Sequence, residues 1–242
     1  MAFLTEPPSQ PAIRAPLVIW SLIAVFVGIE ISRELFWSGA SDAVFQHYGF
    51  VPARYSQAWL AAHPGAGGSL LDRVLPFVTC TFLHGSLLHV GVNSIWLLAF
   101  GSVVARNMGP VRFLAFFFTC AVAAAAFDLA MRWGSPDPAI GASGAISGMM
   151  AAGIRMAGFN GRADRDDHTF RPLTDRLVIS FTVFWMIANL AAGLAGFGTE
   201  PGQTIAWQAH IGGYLAGLLL IGLVYHPARQ APPEDEFPTA AA

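Results

Sequence analysis

Long apolar stretches set the strongest limit on how this sequence can fold. A run of about 20 mostly apolar residues is long enough to cross the core of a bilayer as a helix. We predict six such segments, at residues 16–37, 77–104, 111–131, 140–156, 177–197 and 204–225. Only 12% of the residues are charged, whereas soluble domains average ~25%. The sequence therefore predicts an all-α membrane protein.

The six segments form one domain with a short tail at each end. Residues 1–15 are a polar tail that we place in the cytoplasm. The apolar run after them is too long for a signal peptide and lacks a small-residue cleavage site, so we interpret it as a retained first span. Residues 16–225 then form a single six-helix domain without an internal repeat. Residues 226–242 are acidic and rich in Pro, which predicts a disordered cytoplasmic tail.

Two of the connections between the apolar segments are long enough for their composition to predict where they lie. Residues 38–74 carry Trp, Tyr and Phe among Gly and Pro, which indicates a folded segment lying at the membrane surface. Residues 162–176 are the most charged stretch of the chain, and we interpret them as a solvated loop.

The arginines predict the orientation in the membrane. The chain has no lysine, so its 13 basic residues are all arginines. With the N-terminus inside, nine of them lie on the cytoplasmic side, and the positive-inside rule favours that topology. Segments two, four and six then begin on the outer side. The lysine-free composition, rich in Ala, Gly and Arg, is typical of GC-rich bacterial genomes, so we expect a bacterial inner membrane.

Composition and spacing argue against several kinds of ligand. The net charge of −2 gives no basis for binding nucleic acid. Cys80 and Cys120 lie in apolar runs and form neither a disulfide framework nor a metal-binding pattern, so we interpret them as buried thiols. His84 and His89 would point ~140° apart on a helix, which does not make a pair of metal ligands. We expect no metal and no cofactor.

Four polar residues stand out within the apolar segments: His89, Asn93, Ser143 and His210. Polar groups at membrane depth are costly and mark candidate functional sites. Each lies near the outer start of segment two, four or six, and by helical rise His210 is about 10 Å along its segment. We therefore expect all four side chains to share one layer just below the outer surface.

Two pairs of glycines predict which helices meet. Gly144 and Gly148 follow Ser143 on segment four, and Gly213 and Gly217 follow the histidine on segment six. Pairs of small residues four apart allow helix backbones to approach closely in membranes. We infer that segments four and six pack through these glycines, which would bring His210 to Ser143.

The four polar residues could perform serine-based acyl transfer. A serine hydroxyl needs an adjacent base to act as a nucleophile, and His210 could be that base. Asn93, His89 and the backbone N–H of Ser143, in the first turn of a helix, could stabilise an oxyanion. The alternatives are a serine bonded to its own helix, histidines that only pack, and glycines that only join helices.

Three separated motifs carry a resemblance to a known family. They are His84–Asn93, which has the pattern HxxxxHxxxN, Gly141–Gly144, with GxSG, and Ala209–Gly217, with AHxxGxxxG. In their order, spacing and six-segment frame they resemble the rhomboid family of intramembrane serine proteases. The resemblance covers about residues 16–225.

The resemblance implies a six-helix rhomboid-like bundle and an activity. Ser143 and His210 would form a catalytic dyad without an acid, and His89 and Asn93 would serve the oxyanion. The connection 38–74 would lie partly in the membrane, and the fifth helix with residues 198–203 would gate access. Substrates would be single-span or polytopic membrane proteins in the bilayer.

The sequence departs from the family pattern at two places. A Trp-Arg pair found in many members falls at Leu75-Pro76 here, and a tyrosine that stacks under the catalytic histidine falls at Ser147. We expect a neighbouring aromatic ring to replace that stacking. Two other functions stay open: an inactive rhomboid-like protein that binds transmembrane helices, and a transporter or channel, for which the sequence shows no repeat.

Overall fold

The computed structural model describes residues 15–156, 170–195 and 206–224. Over these ranges the chain is helical, and one isolated bridge joins the backbones of Phe50 and Ala139. Most of the two tails, most of the charged stretch 162–176 and the connection 198–203 lie outside the described residues. The expectations for those parts stay predictions.

The chain begins with one long helix and a connection of short ones. Helix α1 spans Leu17–Trp37, followed by α2 (Ser41–Tyr48), α3 (Gln57–Ala62), α4 (Leu70–Val74) and α5 (Pro76–Thr79). The rings of Phe50, Tyr55 and Phe77 pack against one another within this connection. The connection is folded, in line with the sequence, and its position relative to a bilayer stays a prediction.

Five further long helical stretches follow the connection. Helix α6 (Leu87–Trp96), a π-helical turn (Leu97–Gly101) and α7 (Ser102–Met108) form one continuous stretch, followed by α8 (Pro110–Met131), α9 (Ser143–Met156), α10 (Arg176–Ala195) and α11 (Trp207–Val224). The bounds of α8 to α11 lie within three residues of those predicted from the sequence.

Four of these stretches, within the described ranges, are long and apolar enough to cross a membrane: Leu87–Met108, Pro110–Met131, Arg176–Ala195 and Trp207–Val224. Helix α1 carries Glu30, Arg33 and Glu34 in its last turns, and α9 has only 14 residues. The count of six spans therefore stays a prediction. Eleven of the residues of α9 are buried by protein, so this helix is the centre of the bundle.

The second apolar segment begins later than predicted. The sequence suggested one helix from residue 77, but α5 ends at Thr79, a 3₁₀ turn follows, and α6 starts only at Leu87. Ser86 has an extended backbone, and its hydroxyl accepts a hydrogen bond from the N–H of His89 at 3.2 Å. This N-cap satisfies one of the free donors at the helix start and fixes where α6 begins.

Helices α9 and α11 approach each other closely through glycine. A Cβ on Gly213 would overlap the carbonyl oxygen of Gly144, and a Cβ on Gly217 would overlap that of Gly148. Any larger residue at these two positions of α11 would push the helices apart. The sequence-based inference that these glycine faces meet agrees with this packing.

We predict that Gly217→Ala destabilises the protein, whereas Gly28→Ala does not. The Cβ at residue 217 would collide with backbone, and such overpacking lowers the free energy of unfolding by about 1–3 kcal/mol. A Cβ at residue 28 of α1 meets nothing within 4 Å, and alanine favours a helix by about 0.5–1 kcal/mol over glycine. Denaturation in detergent measures both, and equal stabilities would contradict this description of the helix contact.

Candidate active site

Ser143 and His210 lie in hydrogen-bonding contact. Ser143 is the first residue of α9, and His210 is in the first turn of α11. The Oγ atom of Ser143 is 2.7 Å from Nε2 of His210. The expected depth of His210 was too large, because α11 begins at Trp207 and the histidine lies about 4.5 Å along the helix by its rise per residue. The glycine contact between the two helices makes this short distance possible.

The ring of His89 is held beside Ser143 and His210 by a hydrogen bond at the start of its own helix. It lies in the first turn of α6, and the backbone N–H of Gly85 donates to its Nδ1 at 3.3 Å. A neutral imidazole that accepts at Nδ1 carries its hydrogen on Nε2. A Cβ on Gly141 would be 2.8 Å from that Nε2. The ring therefore presents an N–H donor beside the GxSG turn.

Asn93 completes the set of four that the sequence singled out. It is one turn after His89 on the same helix, with 4% of its surface exposed. Its side-chain amide donates to the carbonyl of His89 at 3.0 Å, which leaves the second amide hydrogen available. His89, Asn93, Ser143 and His210 line one cavity.

The sequence analysis overlooked Asn189. It is a buried residue in the second half of α10, and its Oδ1 is 2.7 Å from Nδ1 of His210. The signal was present, because an asparagine in an apolar segment meets the same criterion that identified Asn93. The four predicted residues lie near the starts of segments two, four and six, whereas Asn189 lies in the second half of segment five.

The expected aromatic support for His210 is not found within the described residues, where the ring is held by its hydrogen bonds to Ser143 and Asn189. Ser147, at the position of the family's tyrosine, donates from its hydroxyl to the carbonyl of Ser143 at 2.7 Å. The hydrogen bond between His210 and Asn189 of α10 therefore takes the place of ring stacking on the histidine.

The helical-spacing argument about His84 was wrong. Since α6 begins only at Leu87, His84 precedes the helix and is not ~140° away from His89 around it. Its ring is fully buried and lies 5.0 Å from the ring of His89, edge to face, with Phe26 on another side. It therefore packs against His89 and supports its position.

Asp128 is a buried acid whose partner is an arginine and not the histidine of the site. Its carboxylate is fully buried near the C-terminal end of α8 and forms an ion pair with Arg132 at 2.6 Å. The same arginine donates to the carbonyl of Asp137 in the loop that leads to α9. This acid therefore ties down a loop next to the site.

The comparison with known families agrees with the motifs and the fold. The family description "Rhomboid domain" matches residues 71–227, which is more than half of the chain. The protein belongs to the rhomboid family. With this membership and its apolar helices, it is an integral membrane protein that crosses the bilayer several times.

Curated relatives of this rhomboid come from a plant and from bacteria. It is 25% identical over 221 residues to "Rhomboid-like protein 11, chloroplastic" of Arabidopsis thaliana, covering 89% of this chain and 68% of the relative. It is 27% identical over 162 residues to "Rhomboid protease GlpG" of Pectobacterium atrosepticum, covering 67% and 51%. The GlpG of Serratia proteamaculans is also 27% identical, over 60% of this chain and 46% of the relative. The matched part spans about half the length of these two GlpG proteins.

We predict that Gly141→Ala slows the reaction of Ser143 with a fluorophosphonate at least about tenfold. Gly141 has a φ of +113° and its added Cβ would displace His89, whose Nε2–H would otherwise be placed to donate to the phosphonyl oxygen. Gly134→Ala is the matched control, since its φ is +80° but its Cβ would meet only Ser56 at 3.7 Å.

Both substitutions place a side chain at a positive φ, which costs about 1–3 kcal/mol. Only the one beside His89 should alter the labelling rate, which gel fluorescence follows over time. Equal rates in the two variants would mean that the position of His89 has no bearing on the reactivity of Ser143.

Proposed function

We propose that this rhomboid is an intramembrane serine endopeptidase that hydrolyses peptide bonds in or near transmembrane segments of membrane proteins. The observation that carries the proposal is the 2.7 Å contact between Ser143 Oγ and His210 Nε2 in a cavity that also contains His89 and Asn93. The GlpG relatives, whose names describe them as rhomboid proteases, support it.

The first half of the reaction acylates the serine. The Oγ of Ser143 forms a bond to the scissile carbonyl carbon while its proton passes to Nε2 of His210. The carbon–nitrogen bond then breaks, and the same proton goes to the leaving amine. The acyl chain stays on Ser143, and the imidazole returns to its neutral state.

Three hydrogen-bond donors would stabilise the oxyanion of this step. They are Nε2–H of His89, the free amide hydrogen of Asn93 and the backbone N–H of Ser143 in the first turn of α9. Donors fixed before the reaction are effective because no reorganisation is needed when the charge develops.

Water and substrate must both reach the cavity. Water deprotonated by His210 attacks the acyl carbon, which releases the second product and restores Ser143. A transmembrane helix hides its carbonyls in hydrogen bonds, so the substrate has to unwind locally before attack. In keeping with the resemblance, we assign lateral access to α10 and residues 198–203.

We further propose how the protein sits in its membrane. The described helices and the arginine distribution fit six spans in a bacterial inner membrane, with both termini cytoplasmic and the cavity opening to the periplasmic side. The connection 38–74 would lie at the outer interface. The substrates would be single-span or polytopic proteins of the same bilayer, with no cofactor required.

We predict that Ser143→Ala and His210→Ala each lower kcat by at least about 10³-fold, since both groups are needed to break the bond. The assay uses purified protein in proteoliposomes with a model transmembrane substrate. Ser94→Ala is the control, because that hydroxyl bonds back to its own helix at Val90.

Cleavage that persists in both site variants would reject the dyad. If wild type fails to cleave but binds the segment as tightly as Ser143→Ala does, the alternative of an inactive rhomboid-like binder replaces the protease.

We predict that Asn93→Ala lowers kcat about 10²-fold or more with little change in KM, the usual effect of removing an oxyanion donor. Asn107→Ala is matched to it, because the Asn107 amide makes the same bond to the carbonyl four residues earlier but on an exposed surface. A comparable loss in both variants would indicate a helix-stability effect instead of an oxyanion role.

A further inference from the structure

Asn189 is unusual for its helix. In α10, Val178 and Asn189 are the buried residues, and the remaining positions are partly or fully exposed. The asparagine has 3% of its surface exposed, and both ends of its amide are used. Its Nδ2 donates to the backbone carbonyl of Trp207 at 3.0 Å, and its Oδ1 faces Nδ1 of His210 at 2.7 Å.

These two contacts together determine where the hydrogen of His210 lies. A backbone carbonyl can only accept, so the NH₂ end of the amide must face Trp207 and the oxygen must face the histidine. That oxygen also only accepts, so Nδ1 of His210 has to carry the hydrogen. The neutral ring then has its lone pair on Nε2, pointing at the hydroxyl of Ser143.

We propose that Asn189 is a positioning residue that holds His210 in the tautomer and orientation needed to deprotonate Ser143. The inference rests on the proposed protease function and extends it to a third helix. In serine proteases with a triad, an aspartate has this task, and an amide in its place can present its N–H₂ end and select the wrong tautomer. Here the carbonyl of Trp207 binds the N–H₂ end and prevents that.

A purely structural role would be to attach α10 to α11. The structure provides a control for this possibility, because Thr182 of α10 shares a 2.9 Å hydrogen bond with the hydroxyl of Tyr214 on α11. Thr182→Val removes a bond between the same two helices without touching the histidine. A loss of kcat that is specific to the role of Asn189 must therefore be larger than the loss caused by Thr182→Val.

The kinetic experiment compares Asn189→Leu, Asn189→Asp and Thr182→Val in proteoliposomes. We expect Asn189→Leu to lower kcat at least about tenfold with KM within about threefold of wild type, since orientation and not substrate binding is lost. Asn189→Asp keeps an acceptor for Nδ1–H but loses the donor to the carbonyl of Trp207, so it should recover only part of kcat. Thr182→Val should stay within about twofold of wild type.

A second measurement needs no substrate. In protein labelled with ¹⁵N-histidine, nitrogen chemical shifts distinguish the N–H nitrogen of a neutral ring from the bare one, and the His210 signals are assigned by their loss in His210→Gln. We expect the N–H at Nδ1 in wild type and in Thr182→Val, and a mixture of tautomers in Asn189→Leu.

The two readouts separate the failure of this inference from the failure of the protease function. If Asn189→Leu keeps the wild-type tautomer and a kcat equal to that of Thr182→Val, the positioning role is overturned. If the wild type itself cleaves no substrate, the protease function fails, and the tautomer measurement alone still decides for or against Asn189.

Discussion

The contact between two backbones at the centre of the bundle determines the rest of the site. Helix α9 carries Ser143 and α11 carries His210, and side chains at Gly213 or Gly217 would not fit between them. Because both polar residues lie in the first turn of their helices, a close approach of the helix axes is enough to bring them into hydrogen-bonding distance. No long or flexible side chain has to reach across a gap.

Much of this arrangement could be predicted from the sequence. Apolar runs bounded by charged or Gly-rich stretches located α8 to α11 to within three residues, since the bilayer sets the length of such helices. The glycine spacing indicated which helix faces meet. The four polar residues singled out in otherwise apolar segments all line the same cavity.

Other features of the fold and the site depend on tertiary contacts that cannot be predicted from hydropathy. The start of α6 was misplaced because residues 77–104 are apolar throughout. The helix begins where the Ser86 hydroxyl caps it. Before it, the carbonyl of Cys80 accepts a hydrogen bond from the N–H of Gly141, far along the chain. The role of His84 was misjudged for the same reason. Asn189 met the criterion of a polar residue in an apolar segment, but its contact with His210, 21 residues away on another helix, has no local sequence pattern.

Few residues of α10 are buried, and this bears on how a substrate could enter the cavity. A helix with so little buried surface is the one that a bilayer-embedded chain could displace most easily on its way to the cavity. Such a displacement would draw Asn189 away from His210, and the imidazole could then rotate. For the proposed protease, cleavage of a peptide bond would then have to wait until α10 returned, and proteins that contact the open cavity only briefly would not be cut.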